Sequence, residues 1–209
     1  RALLFGWLSM PHKDEDYPTG EHGWMHALTL PRVLTLKQGK LLSRPAPELK
    51  ALRVARSARE LSGRAVPSLK TELAYCSEIL LNIVLGVAQR IKIELRYGRE
   101  KVKIGYNRET DVVEINREGM KLGGRGVRSF KLYTYHSLVM NIFIDRTAVE
   151  IFFQNGEEVA SFLVFPEEDV APVFSIEADA PMEKVMGSIW DLDRLRYGEL
   201  KQQKRKYRF

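Results

Sequence analysis

The sequence predicts an all-β protein whose larger part is a two-sheet antiparallel sandwich. Short segments such as residues 91–97 and 101–106 alternate apolar with polar side chains, which is the period of a half-buried strand. Glycine- and asparagine-containing turns separate these segments at short intervals. From residue 65 onward no helical periodicity of useful length interrupts them. Many short strands joined by tight turns are typical of a sandwich.

The centre of the predicted sheet is the stretch 141–166, which is typical of three strands joined by two turns. Asp145-Arg146 interrupts the first apolar run, and Asn155-Gly156 interrupts the second. Asn-Gly is a strong hairpin signal, because both residues tolerate the positive φ of a type I′ turn. Pro166 ends the third strand, since it has no N–H for the ladder.

This register makes an inside-outside prediction for the second strand. Ile151 and Phe153 should share the core face, and Phe152 should face the other way, towards an interface. Asp145 and Glu150 form a carboxylate pair across the first turn. We expect a structural role for both: Asp145 should accept hydrogen bonds from its own turn, and Glu150 should pair with a base on a neighbouring strand.

The N-terminal region predicts strands around a surface loop. Residues 2–8 form a continuous apolar run, as expected for a strand buried on both faces. Residues 11–23 are polar and rich in turn formers, so they should form a loop. Further strands are predicted at 24–30, 32–36, 69–73, 77–87, 91–97, 101–106, 112–115, 174–177 and 185–192.

Residues 45–62 are predicted as a linker helix. Pro47 suits the first helical turn, and Glu48 complements the helix dipole. Arg53, Arg56 and Arg59 recur at a spacing of three, and we interpret them as the solvated side of that helix rather than as an anion site.

Composition excludes several classes of protein. The 209 residues are 44% apolar, enough for a substantial core, and no apolar run approaches the roughly 18 residues of a membrane helix. The net charge of +6 falls to about +1 without the five basic residues of 201–209, so no nucleic-acid partner is expected. Cys76 is the single cysteine, which excludes an internal disulfide and favours a reducing, cytoplasmic location. Because the sequence begins at Arg1 without an initiator Met, we expect a further segment before it.

Several motifs together resemble the sucrose-6-phosphate hydrolase and invertase family of β-fructofuranosidases. They are Tyr17-Pro18-Thr19, Gly23-Trp24, Leu28-Thr29-Leu30-Pro31-Arg32, Arg44-Pro45-Ala46-Pro47-Glu48-Leu49, Asp145-Arg146-Thr147-Ala148-Val149-Glu150-Ile151-Phe152, Asn155-Gly156-Glu157 and Phe165-Pro166. In that family a five-bladed catalytic β-propeller precedes a β-sandwich. The resemblance therefore implies the end of the propeller at 1–44, the linker helix at 45–62, the sandwich at 63–197 and a basic tail at 198–209.

The resemblance implies hydrolysis of sucrose or sucrose 6-phosphate by two carboxyl groups with retention, without metal or cofactor. The family takes its nucleophile from Asn-Asp-Pro-Asn-Gly, a stabilising Asp from Arg-Asp-Pro, and its acid/base from Glu-Cys. None of these occurs here, and Tyr75 precedes Cys76. We therefore assign no catalytic residue, and we expect the chain alone to be inactive and its catalytic propeller to lie upstream as a missing partner.

Substrate contacts are predicted at Trp7, Met10 and Trp24, which bracket a loop that lies near the active-site funnel in the family. Aromatic faces with polar neighbours suit sugars, although Trp7 and Trp24 also fit packing between the last blade and the sandwich. Strand direction should splay His12, His22 and His26 apart, so no metal is expected. Two alternatives remain open: a stand-alone sugar-binding sandwich without catalysis, and a basic-tailed interaction module. A homo-oligomer is compatible with each.

Overall fold

A computed structural model describes residues 1–9, 17–122, 126–134 and 136–193. The predicted basic tail therefore lies outside the described residues. Short 3-10 helices lie at Pro18–His22, Pro47–Leu52 and Ala55–Ser57. The strands of the described ranges are β1 (Ala2–Leu4), β2 (Trp7–Leu8), β3 (Ala27–Leu28), β4 (Arg32–Lys37), β5 (Lys40–Pro45), β6 (Arg59–Glu72), β7 (Ser77–Val84), β8 (Arg90–Tyr97), β9 (Glu100–Asn107), β10 (Val112–Asn116), β11 (Val127–Lys131), β12 (Ser137–Ile144), β13 (Ala148–Phe153), β14 (Glu158–Leu163) and β15 (Val173–Asp191).

Strands β6 to β15 form one antiparallel sheet that curls into two facing layers. One layer has the order β8-β9-β10-β11, and the other has β7-β12-β13-β14. The long strand β15 joins them, because its residues 173–178 pair with β8 and its residues 184–191 pair with β7. Inward side chains from both layers share one large apolar core. The predicted all-β fold with a two-sheet sandwich is confirmed.

Prolines mark the point at which β15 and its partner β6 cross from one layer to the other. The pairing of β15 with β6 shifts between Glu177 and Met182, and Ala65 on β6 has a φ of 53°. Pro181 and Pro67 lie at this irregularity, where neither can donate to a ladder. The two separate strands predicted at 174–177 and 185–192 are therefore wrong, because the segment between them continues β15 through a bulge.

The central register is confirmed by the packing. Ile142 lies opposite both Ile79 and Ile151, and these three side chains are fully buried in the sandwich core. Phe153 belongs to the same core, whereas Phe152 packs on the other face.

The turn after β13 is longer than the two-residue type I′ turn that was predicted. Gln154, Asn155 and Gly156 all have positive φ, at 45°, 57° and 91°. Gln154 is held in place because its backbone N–H donates to the Val139 carbonyl at 2.9 Å, while its side-chain oxygen accepts from the Val139 N–H at 2.7 Å. These bonds extend the pairing with β12 and leave a four-residue connection to β14.

The N-terminal strands form a small separate sheet, β1-β4-β5, beside the two-stranded pair β2-β3. The prediction of one buried strand over residues 2–8 is wrong, because the chain changes partner at Gly6. The Gly6 N–H donates to Thr29 Oγ1, and the Gly6 carbonyl accepts from the Thr29 N–H, both at 2.8 Å. All three residues of β1 are exposed at the open edge of the sheet.

The single linker helix over 45–62 is also wrong. Two short 3-10 helices occupy the region, and β6 already begins at Arg59. Arg53 lies between the helices in an extended conformation, and its guanidinium makes two hydrogen bonds to Glu78, at 2.7 and 2.8 Å. It also stacks on Trp190, 3.8 Å from the ring centroid. This arginine anchors the linker to the sandwich and does not lie on a solvated helix face.

Candidate functional site

Strands β1–β5 meet the sandwich along a buried contact surface, which we call the seam. Leu49 of the linker packs there against Phe143 and Phe152, with Leu30 and Leu52 at the margin. A second apolar cluster joins the N-terminal region to the end of β14; it contains Leu8, Tyr17, Leu163 and Phe165. The Ser43 N–H donates to the Gly156 carbonyl at 2.8 Å, so the hairpin turn is part of the seam.

The polar centre of the seam is Glu150, whose side chain is only 5% exposed. One carboxylate oxygen accepts from the Leu30 N–H at 2.5 Å, and the other accepts from Arg32 at 2.6 Å and from Ser161 at 3.0 Å. The expected pairing of Glu150 with a base is confirmed, but the base comes from β4 across the seam rather than from a neighbouring strand. Asp145 accepts from the Arg146 N–H of its own turn at 2.7 Å, as expected.

The other buried carboxylates are similarly engaged. Glu78 accepts both hydrogen bonds from Arg53, and Glu94 contacts Arg96 and Lys101. Glu100 accepts from the N–H groups of Lys121 and Glu167, at 2.8 and 2.6 Å. A carboxylate held by cations or by several N–H groups stabilises structure. The sequence patterns missed Glu78, Glu94 and Glu100 because each lies in a strand whose alternation does not distinguish a buried carboxylate from an exposed one.

The predicted substrate contacts lie in different surroundings. Trp7 is 65% exposed, and its ring makes an edge contact with His26 at 5.1 Å. His26 in turn contacts Tyr17 at 5.2 Å. Met10 lies outside the described residues.

Trp24 lines a cavity of about 320 Å³ between the first 3-10 helix and one end of the sandwich. Tyr75 and Tyr97 lie on the sandwich side of this cavity, and Trp7 is not among its described walls. Burial raises the pKa of the Tyr97 hydroxyl. The structure thus does not bring Trp7 and Trp24 into one pocket, and their contact with substrate stays a prediction.

Cys76 lies at the edge of the seam and donates to Asp145 at 3.1 Å. Burial, together with this hydrogen bond and the charge of Asp145, raises the pKa of the thiol to about 11. In the described ranges no three His, Cys, Asp or Glu side chains are grouped as a metal site would require. No helix in those ranges has both the length and the apolar character to span a bilayer.

Comparison with protein families gives two matches that together cover most of the chain. The N-terminal domain of glycosyl hydrolases family 32 matches residues 1–45, and the C-terminal domain of the same family matches residues 48–188. The motifs that carry the resemblance seen in the sequence fall within these two ranges, except that the motif at 44–49 spans the junction between them.

Curated relatives include sucrose-6-phosphate hydrolases from Bacillus subtilis and Klebsiella pneumoniae. The first is 35% identical over 176 residues, which are 79% of this chain and 34% of the relative. The second is 32% identical over 180 residues, which are 84% of this chain and 34% of the relative. A raffinose invertase from Escherichia coli is 28% identical over 196 residues, or 92% of this chain and 40% of that protein. The chain thus spans between 34 and 40% of the length of these three relatives.

Solved structures share the fold at lower identity. An exo-inulinase from Aspergillus awamori superposes with a TM-score of 0.77 at 20% identity, covering 91% of this chain and 40% of that one. A sucrose-6-phosphate hydrolase from Lactobacillus gasseri gives a TM-score of 0.70 at 22% identity, covering 91% of this chain and 38% of that one.

Proposed function

Because the chain belongs to glycosyl hydrolases family 32, we propose that it is the C-terminal portion of a β-fructofuranosidase that hydrolyses sucrose or sucrose 6-phosphate. The observation that carries this proposal is the paired match of residues 1–45 and 48–188 to the two domains of one family. We assign residues 1–44 to the end of the catalytic propeller and 63–197 to the sandwich. A reducing, cytoplasmic location belongs to the same proposal and is supported by the single cysteine.

The proposed reaction needs two carboxyl groups about 5 to 5.5 Å apart. One attacks the anomeric carbon of the fructosyl unit, while the other protonates the departing glucosyl oxygen. Water then hydrolyses the covalent intermediate, so that configuration is retained. The four buried glutamates of the described chain are held by structural partners, which supports placing the reacting pair on a propeller segment outside these 209 residues.

The role of this chain in the reaction is then to support the catalytic propeller rigidly. The seam fixes β3 and β4 against the sandwich through Glu150, Arg32 and the cluster around Phe152. Catalytic groups must be held within a fraction of an ångström of productive geometry, and they depend on such rigid support. Trp7 remains the proposed substrate contact of this segment, since it is more exposed than Trp24, the other tryptophan with this predicted role.

A chimera tests this function. The matching C-terminal third of the Bacillus subtilis relative would be replaced by this chain, and fructose release from sucrose and from sucrose 6-phosphate would be measured. We expect activity from the chimera and none from the 209-residue chain alone. The truncated relative without any replacement is the control, because it shows whether the propeller is active by itself. Fructose release by the purified 209-residue chain would contradict the proposal, as would a folded chimera without activity on either substrate.

A further inference from the structure

The outer face of the layer that contains β7 and β12 carries a groove. A cavity of about 350 Å³ begins at the first linker helix, and a second cavity of about 530 Å³ reaches β6. Both are bounded by Leu80, Val139, Met140 and Asn155, so they form one continuous depression across the strands.

The floor of the groove alternates polar and apolar side chains in two directions. It has two rows of three cross-strand neighbours, Met186, Asn82 and Val139 in one row and Ser188, Leu80 and Asn141 in the next. Each apolar side chain therefore has a polar neighbour both along its strand and across to the next strand. Such a surface suits ligands whose own surface alternates C–H and O–H groups, as a sugar ring does.

Two asparagine side chains in this floor have an oxygen without a hydrogen-bond partner in the described part of the chain. The side-chain oxygens of Asn82 and Asn141 are both buried without a partner. Buried polar atoms in folded proteins are nearly always hydrogen-bonded, so two adjacent exceptions on one face call for an explanation. Because each oxygen is buried, a ligand in the groove reaches it only after rotation about the terminal torsion, which exchanges the oxygen with the NH2 group at little steric cost. The pair can therefore satisfy a hydroxyl group, which both donates and accepts.

The charges that line the groove, and its direction relative to the strands, narrow the class of ligand. The charged side chains in the walls are Arg44, Lys50 and the ion pair of Arg53 with Glu78 in the first cavity, and Glu60 in the second. The two rows of the floor carry no charged side chain. The groove runs across the strands on a sheet face, so it offers no free backbone edge to which an extended peptide could add as a strand. From β6 to the turn after β13 it crosses four strand spacings of about 4.8 Å, roughly 19 Å, which is longer than one sugar ring.

We propose that this groove binds a neutral oligosaccharide, with apolar ring faces on Leu80, Val139 and Met186 and hydroxyl groups on Asn82 and Asn141. Binding here goes beyond the proposed hydrolysis and belongs to the sandwich of this chain. It is measured on the 209-residue chain without any catalytic readout, so its failure is distinguishable from failure of the chimera.

The experiment is a titration of isotopically labelled 209-residue chain with two neutral trisaccharides, raffinose and maltotriose, followed by nuclear magnetic resonance. We expect at least one of them to shift the side-chain amide signals of Asn82 and Asn141, and the backbone signal of Leu80, in a saturable way. The neutral peptide tetra-alanine serves as the comparison ligand.

Substitutions of the two asparagines provide the second part of the binding experiment. Asn82→Leu and Asn141→Leu keep the size of the side chain but remove its hydrogen-bonding groups. Each should therefore raise the dissociation constant about tenfold. The same changes remove a buried oxygen without a partner, so the melting temperature should stay equal or rise. Ser175→Leu, on the outer face of the other layer, is the matched control and should leave affinity unchanged.

Several outcomes would overturn the proposal. These are the absence of saturable shifts with both trisaccharides, shifts confined to Trp7 and Trp24, equal affinity for tetra-alanine, and unchanged affinity in both asparagine variants. Weaker binding with preserved or raised melting temperature would support it, because a merely structural role of the asparagines predicts no loss of affinity.

Discussion

Phe152 and Phe153 are neighbours in sequence but stabilise different contacts. Phe153 is fully buried in the sandwich core, whereas Phe152 packs on Leu49 and Phe143 in the seam. Phe153→Ala should lower the free energy of unfolding of the sandwich by about 3 to 5 kcal/mol. Phe152→Ala should chiefly release the N-terminal strands, because its partners lie in the seam. Two measurements separate these effects. Urea unfolding monitored by the fluorescence of the sandwich reports the first, and the protease sensitivity of residues 1–45 reports the second. The register would be contradicted if Phe152→Ala unfolded the sandwich while Phe153→Ala left it unchanged.

Cys76 should be a slow nucleophile although it is not fully buried. Its pKa of about 11 lies well above that of an ordinary thiol, so little thiolate exists near neutral pH. A thiolate with a higher pKa is intrinsically the stronger nucleophile, which offsets part of the loss in thiolate concentration. Alkylation by iodoacetamide at pH 8 should therefore be slower by about tenfold or more in the folded chain than in urea. Asp145→Ala should speed the folded reaction, since it removes the hydrogen bond and the charge that favour the protonated thiol. Equal rates in the folded and unfolded states would contradict this environment.

At the scale of elements, β4 depends on Glu150 for its place against the sandwich. Glu150→Ala would leave Arg32 buried without its carboxylate, a change that typically costs about 3 to 5 kcal/mol. It also removes the acceptor of the Leu30 N–H, so hydrogen exchange at that amide should accelerate. The control is Glu157→Ala, which breaks the exposed pair with Lys40 and should cost about 0 to 1 kcal/mol. Equal unfolding midpoints for the two variants would show that the seam does not depend on this ion pair.

Alternation and turn residues were enough to predict most strands of the sandwich, and the central register followed from Ile151 and Phe153. They were not enough for the N-terminal region, where an apolar run suggested a buried strand. Leu3 and Leu4 are apolar but lie exposed on β1, and neither residue type nor spacing distinguishes an exposed apolar edge from a core strand. The linker was misread because Arg53 bonds to Glu78, 25 residues away, and such distant partners leave no local signal. The groove asparagines were likewise invisible, since their lack of partners depends on the surrounding sheet.

At the scale of the whole molecule, the open edge of β1 should govern association. Leu3, Phe5 and Trp7 are 45, 54 and 65% exposed along or beside this edge. Exposed apolar edge strands pair readily with other chains. We expect the 209-residue chain to self-associate with rising concentration in analytical ultracentrifugation. Leu3→Lys should shift it towards monomer, whereas Val87→Lys, at an exposed site between β7 and β8, should not. A monodisperse monomer whose residues 1–45 resist protease as well as the sandwich does would contradict this.

The shared strand β15 also sets an order of events during synthesis. It contributes to both layers and pairs with β6, β7 and β8, which the ribosome makes about a hundred residues earlier. Until residue 191 has left the exit tunnel, β7 and β8 keep unpaired edges, and the two layers lack the strand that closes them. Contacts so distant in sequence form slowly, and the incomplete sheet exposes its core meanwhile. The sandwich should therefore fold in one late step, after β15 has been synthesised, and until then the incomplete sheet is prone to aggregate.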